Sequence, residues 1–157
     1  MAANKSVPQK GKAATGKAPA AADAVLEGMV PVLQRDVSLM LESGYLLMEL
    51  KRHKEAEEVF AGLACLLPKS EVPHMAMGNL LFAQGRFGAA LKCHQRASEL
   101  NPESATAVAS SAESLFFLKR NDEALEQIQR ALALEADGPA HEFANALKEA
   151  YDLGIFG

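Results

Sequence analysis

One fixed interval governs this chain. Gly44, Gly78 and Ala112 stand 34 residues apart, as do Ala56, Ala90 and Ala124, and Leu66, Leu100 and Leu134; Pro68 and Pro102 keep the same step. A two-helix unit of that length cannot bury its apolar face alone, so such units stack and share one continuous core. The period frames three units, 37–70, 71–104 and 105–138, each holding two helices joined by a short turn. Abundant Ala, Leu, Glu and Lys suit helices, and the chain of 157 residues is long enough for one domain with a core. The expected fold class is all-α.

The residues between the helical stretches are consistent with that frame. In the second unit, Gln84-Gly85-Arg86-Phe87 forms the turn, with Gly85 able to take the positive φ that ends a helix. The first unit turns at Lys51-Arg52-His53 and the third at Lys119-Arg120-Asn121, where Asn121 is expected to ease the turn. Pro68 and Pro102 close the second helices, because proline cannot continue a helix. A last helix is expected to start after Asp137-Gly138-Pro139 and run to about Leu153, as a capping helix with a polar side at Glu142, Asn145, Lys148 and Glu149. Val25, Leu26, Met29, Val30 and Leu33 give helical spacing from Asp23 to about Gln34, interrupted at Pro31; this extra helix is either an N-terminal cap or a self-association element. Residues 1–22 lack hydrophobic periodicity and are expected to be disordered.

The recurring small residues explain the packing. Small side chains at positions eight and twenty let two helices cross closely, and Phe60, His94 and Ile128 at position twenty-four fill the space beside them. Together these positions match the tetratricopeptide-repeat consensus: three helix-turn-helix repeats between an N-terminal helix and a C-terminal capping helix. The consensus speaks to packing only.

Chemistry finds little support. The net charge is −4, and residues 1–22 hold four lysines and no acid, so the rest is more acidic still and ill-suited to nucleic acid. His53, His74, His94 and His141 fall at different repeat positions without zinc-ligand spacing, so no metal site is expected. No phosphate loop, dinucleotide turn or Ser–His–Asp order is present, and neither an enzyme nor a cofactor is expected. Cys65 and Cys93 read as free thiols in a reducing cytoplasm. No apolar run approaches the ~20 residues needed to span a bilayer.

In the tetratricopeptide fold the first helix of each pair lines a concave groove, at frame positions two, five, nine and twelve. Leu41, Tyr45, Met48, Met75, Asn79, Phe82, Ala109, Glu113 and Phe116 are therefore the candidate peptide-binding residues, with Asn79 and Glu113 suited to bond an extended backbone and Phe117 expected in the core. The groove reads as mainly apolar. Co-chaperones of this fold that grip the acidic end of heat-shock proteins use Lys and Arg in the groove; here Leu41 and Met75 stand at the fifth positions, Glu42, Ala76 and Ser110 at the sixth, and only Asn79 matches.

The chain resembles the tetratricopeptide chaperones of bacterial type III secretion that guard translocator proteins. The resemblance covers roughly 40–135 and is carried by Ala56, Val59, Phe60 and Leu63, by Gly78 with Gly85 and Phe87, and by Ala112-Glu113-Ser114-Leu115. It implies a bacterial cytoplasmic chaperone holding an extended apolar segment of a translocator in the groove before export, with a possible homodimer through the N-terminal helix at Ala24–Leu33. A generic tetratricopeptide interaction scaffold is the alternative. The apolar segment Leu153–Gly157 is one candidate to fill the groove in the absence of a client.

Overall fold

The computed structural model describes residues 32–157. Among them lie seven helices and no strand: α1 (Gln34–Glu49), α2 (His53–Leu66), α3 (Val72–Ala83), α4 (Phe87–Leu100), α5 (Ala105–Phe117), α6 (Asn121–Leu134) and α7 (Pro139–Asp152). They pair as α1 with α2, α3 with α4 and α5 with α6; each pair stacks on the next, and α7 packs on both α5 and α6. The all-α helical repeat follows the 34-residue period. The leader 1–22, the helix expected from Asp23, its interruption at Pro31 and the dimer surface expected on it lie outside the described residues, up to residue 31. Val32 and Leu33 are described, and here the expectation is corrected. Leu33 is extended (φ −74°, ψ 142°) and accepts the first bonds of α1, from the amides of Asp36 and Val37. Val32 is buried in the first-repeat core, beside Val37, Phe60 and Leu63, and its burial favours an extended entry over a continued helix.

Each helix pair crosses where the smallest residue meets a ring or a branched chain. A Cβ on Gly44 would lie 2.3 Å from Phe60 Cε1, and one on Gly78 would lie 2.3 Å from His94 Cδ2 and Nε2. Glycine is thus required by close approach, not by its dihedrals. In the third pair the combination changes to Ala112 and Ile128, both buried in one cluster. Ala56, Ala90 and Ala124 are fully buried at the equivalent crossings of the second helices.

The three turns within the pairs are copies of one another. Lys51 (φ 60°), Gly85 (φ 72°) and Lys119 (φ 60°) all take the left-handed conformation. In each, the amide of the next residue returns to a carbonyl five residues back: Arg52 to Leu47 at 2.8 Å, Arg86 to Leu81 at 2.9 Å and Arg120 to Leu115 at 3.0 Å. This is the hydrogen-bonded C-terminal cap that glycine suits best. Asn121, expected from the sequence to ease the third turn, does not take its left-handed step. It opens α6, and the left-handed step falls on Lys119 because the register matches Gly85. A non-glycine residue there costs about 1 kcal/mol. The second helices end on non-helical residues, Leu67, Asn101 and Glu135, the last two extended. Pro68 and Pro102 come directly after the first two and exclude helix from the residue before them.

Candidate functional site

Between α1, α3 and the start of α5 lies a cleft of about 300 Å³, lined by Leu41, Tyr45, Glu71, Val72, Met75, Asn79, Ser104 and Thr106. Leu41, Tyr45, Met75 and Asn79 are brought together because positions five and nine recur on successive first helices. Leu41 also rests against the first-repeat core, as does Met48. Tyr45 is 39% exposed, its ring edge-on to Phe60 at 5.5 Å between centroids. No Lys, Arg or His lines this cleft.

Its polar edge is already engaged within the chain. His94 is buried, and burial pushes its pKa down to about 4, so the ring is neutral near pH 7. Nδ1 lies 3.1 Å from the Ser110 carbonyl oxygen, which can only accept, so the single ring proton sits on Nδ1. The Asn79 amide bridges outward, with one end 3.3 Å from His94 Nε2 and the other 3.4 Å from the Tyr45 hydroxyl. Because Nε2 is then an acceptor, the chemistry places the Asn79 NH2 at the ring and its oxygen at the Tyr45 hydroxyl. Oxygen and nitrogen of an amide are assigned by such bonding. Both ends of Asn79 are therefore used by Tyr45 and His94. Glu71 borders the cleft as well: its Oε1 accepts from Asn101 Nδ2 at 2.8 Å, while its Oε2 is buried with no hydrogen-bond partner. Sequence reasoning missed Glu71 because the first frame position ordinarily lies outside the groove set.

The third-repeat half differs. Ala109 and Phe116 are fully buried, so neither lies on an open face here. Phe116 stacks on Phe156 (4.6 Å, 3° between planes) and on Tyr151 of α7 (5.4 Å). Phe117, expected in the core, is instead 44% exposed. The two neighbours exchange roles because α7 and the segment after it cover Phe116. Phe117 lies between Phe156 at 5.7 Å and the Phe82–Phe87 pair, whose rings are 5.1 and 4.6 Å from it. Phe82 is half-buried within that aromatic row. Glu113 is half-buried, and burial pushes its carboxyl above the usual range.

Residues 75–142 match the family model described as Tetratricopeptide repeat. The helical array is a fold of that kind. No curated protein matches the chain by sequence. Solved structures match it in fold. The Yersinia enterocolitica type III secretion translocator chaperone SycD superposes with a TM-score of 0.68 at 16% identity, covering 76% of this chain and 90% of that one. A type III secretion complex from Aeromonas hydrophila gives 0.66 at 19%, covering 76% and 80%. The first tetratricopeptide domain of Spaghetti (RPAP3), bound to the HSP90 peptide SRMEEVD, gives 0.63 at 19%, covering 75% and 94%. At these identities the likeness is one of fold, shared by secretion and other tetratricopeptide proteins alike.

Among the described residues, no three His, Cys, Asp or Glu side chains are grouped to hold a metal ion, and no helix is long and apolar enough to cross a membrane. Cys65 and Cys93 are free thiols; Cys93 is half-buried, which pushes its pKa up. What the site offers is a mainly apolar furrow between successive first helices.

Proposed function

We propose that this chain is a protein-binding chaperone of the type III secretion kind, holding an extended apolar segment of a translocator protein in the cleft between α1, α3 and α5, in the bacterial cytoplasm before export. One observation carries the reading: the cleft is walled by Leu41, Tyr45, Val72 and Met75 and contains no cation. An acidic peptide such as the one seen on the Spaghetti domain would need charge-assisted bonds to its carboxylates, and here it would meet Glu71. An apolar segment loses hydrated surface on entering and gains contact with Met75, whose flexible thioether adapts to varied shapes. Binding, rather than catalysis, is the role of these residues, and no cofactor enters it.

The test is a pull-down of the chain from its native organism with identification of the co-purified proteins. Val72→Glu and Met75→Glu, both on the cleft wall, are expected to abolish co-purification while leaving the helical circular-dichroism signal and the melting temperature within a few degrees of the parent. Retention of the client by both variants would remove the cleft from the account, and absence of any secretion translocator among co-purified proteins would favour the general interaction scaffold.

A further inference from the structure

The segment after α7 turns back on the fold and places one aromatic side chain in a slot. Helix α7 ends at Asp152; Gly154 takes φ +76° and the Ile155 amide bonds back to the Ala150 carbonyl at 3.0 Å. Leu153 and Ile155 point to solvent, 72% and 66% exposed, while Phe156 between Ile155 and Gly157 enters between Phe116 and Phe117. Lys119 closes the slot: its ammonium donates to the main-chain oxygens of Phe156 at 3.1 Å and Gly157 at 3.0 Å. The hold thus joins one aromatic ring to two main-chain oxygens. A helix-capping role does not require it, because the Gly154 turn already closes α7.

Resting on the peptide-holding reading of the groove, we propose that the Phe116–Phe117–Lys119 slot is a second anchor pocket for a partner chain. It takes an aromatic side chain followed by a small residue, and Phe156-Gly157 is its resident, displaceable occupant. The chemistry of the resident defines the partner: an aromatic side chain followed by a small residue, with main-chain oxygens that accept from Lys119. The exposed flank of Phe117 and its row to Phe82 remain uncovered by the resident. They offer a longer partner more aromatic surface than Phe156 alone uses, and aromatic pairs of this geometry add attraction beyond burial. A segment held by so few contacts opens far more readily than the helices beneath it.

The probe is an N-terminally fluorescein-labelled peptide of residues 152–157 with an unmodified C-terminus. It is expected to bind Phe156→Ala at least about 10-fold more tightly than the parent chain, whose slot is occupied. In the Phe156→Ala background, adding Lys119→Ala should weaken the peptide about 10-fold, the scale of losing hydrogen bonds to a charged donor, and a peptide with Ala in place of Phe should not bind measurably. Equal affinity for parent and Phe156→Ala, or for the Phe and Ala peptides, would overturn the proposal. Because Phe156→Ala also strips packing from Phe116, hydrogen exchange on the unaltered chain provides the second reading. Saturating peptide should speed exchange at Ile155 and Gly157 while α5 and α6 stay protected, and unchanged exchange at those amides would equally overturn it. The peptide is the chain's own sequence, so its failure leaves client binding at Leu41 and Met75 standing, and loss of the client reading leaves the slot measurement intact.

Discussion

The two halves of the groove are built from the same repeat positions and end in opposite states. At Leu41, Tyr45 and Met75 the inward side chains wall an open cleft; one repeat further on, Ala109 and Phe116 are sealed beneath other residues. The difference is not in the first helices themselves. It comes from their neighbours: among the described residues α1 and α3 pack on adjoining helix pairs, whereas α5 also carries α7 and the Phe156 segment. A position in a repeat therefore specifies a direction, and the adjoining unit decides whether that direction meets solvent.

Removing Phe116 should break this contrast most strongly. Phe116→Ala empties a fully buried site and is expected to destabilise the fold by about 3–5 kcal/mol, whereas Met75→Ala on the open wall should cost about 1 kcal/mol or less; urea unfolding of the two variants measures both. Similar losses would erase the distinction between the halves.

The helix crossings give the next largest effect. Gly78→Ala drives a methyl group into the His94 ring and should cost about 1–3 kcal/mol. Ala112→Gly, in the pair that already accommodates a Cβ, should cost only about 1 kcal/mol through helix propensity. Thermal melts of the two, each against the parent, rank them.

His94 lies at the boundary between the halves and makes the first of them sensitive to acid. Its pKa in the folded chain is about 4, below the ordinary 6.5 of the unfolded one, so the unfolded state takes up the proton first. Stability from this group is complete above about pH 7 and falls as pH drops through 6.5 towards 4. The loss reaches about 2 kcal/mol by pH 5. His94→Phe, which copies the Phe60 of the first repeat, should flatten the pH profile between 5 and 7; an unchanged slope would assign it to other groups.

The turns offer the smallest effect. Lys51→Gly should stabilise by up to about 1 kcal/mol by removing left-handed strain, while Gly85→Ala should destabilise by a similar amount. Lys119→Gly should show a smaller net gain than Lys51→Gly, because it also releases the carbonyls of Phe156 and Gly157.

Much of this architecture was legible in the residues. The period located the paired helices because one residue type per position solves one crossing problem, as Gly44 with Phe60 and Gly78 with His94 show. Tyr45 and Asn79, one period apart, meet for the same reason. Other features were hidden. The turns at Lys51 and Lys119 were legible, but lysine rarely adopts positive φ, so the left-handed step on those residues was hidden although their register matches Gly85. The engagement of Asn79 by His94 depends on a contact between non-equivalent positions. The exchange of Phe116 and Phe117 depends on a covering segment outside the repeat frame, to which periodicity is blind.

Site-specific photo-crosslinking in the native organism tests the central claim most directly. A photoreactive phenylalanine analogue at Leu41 or Met75 should capture a client chain, and one at Phe116 should capture the chain's own Leu153–Gly157 segment. Client adducts forming equally from the exposed outer positions Lys92 and Glu126, or not at all from Leu41 and Met75, would contradict the account.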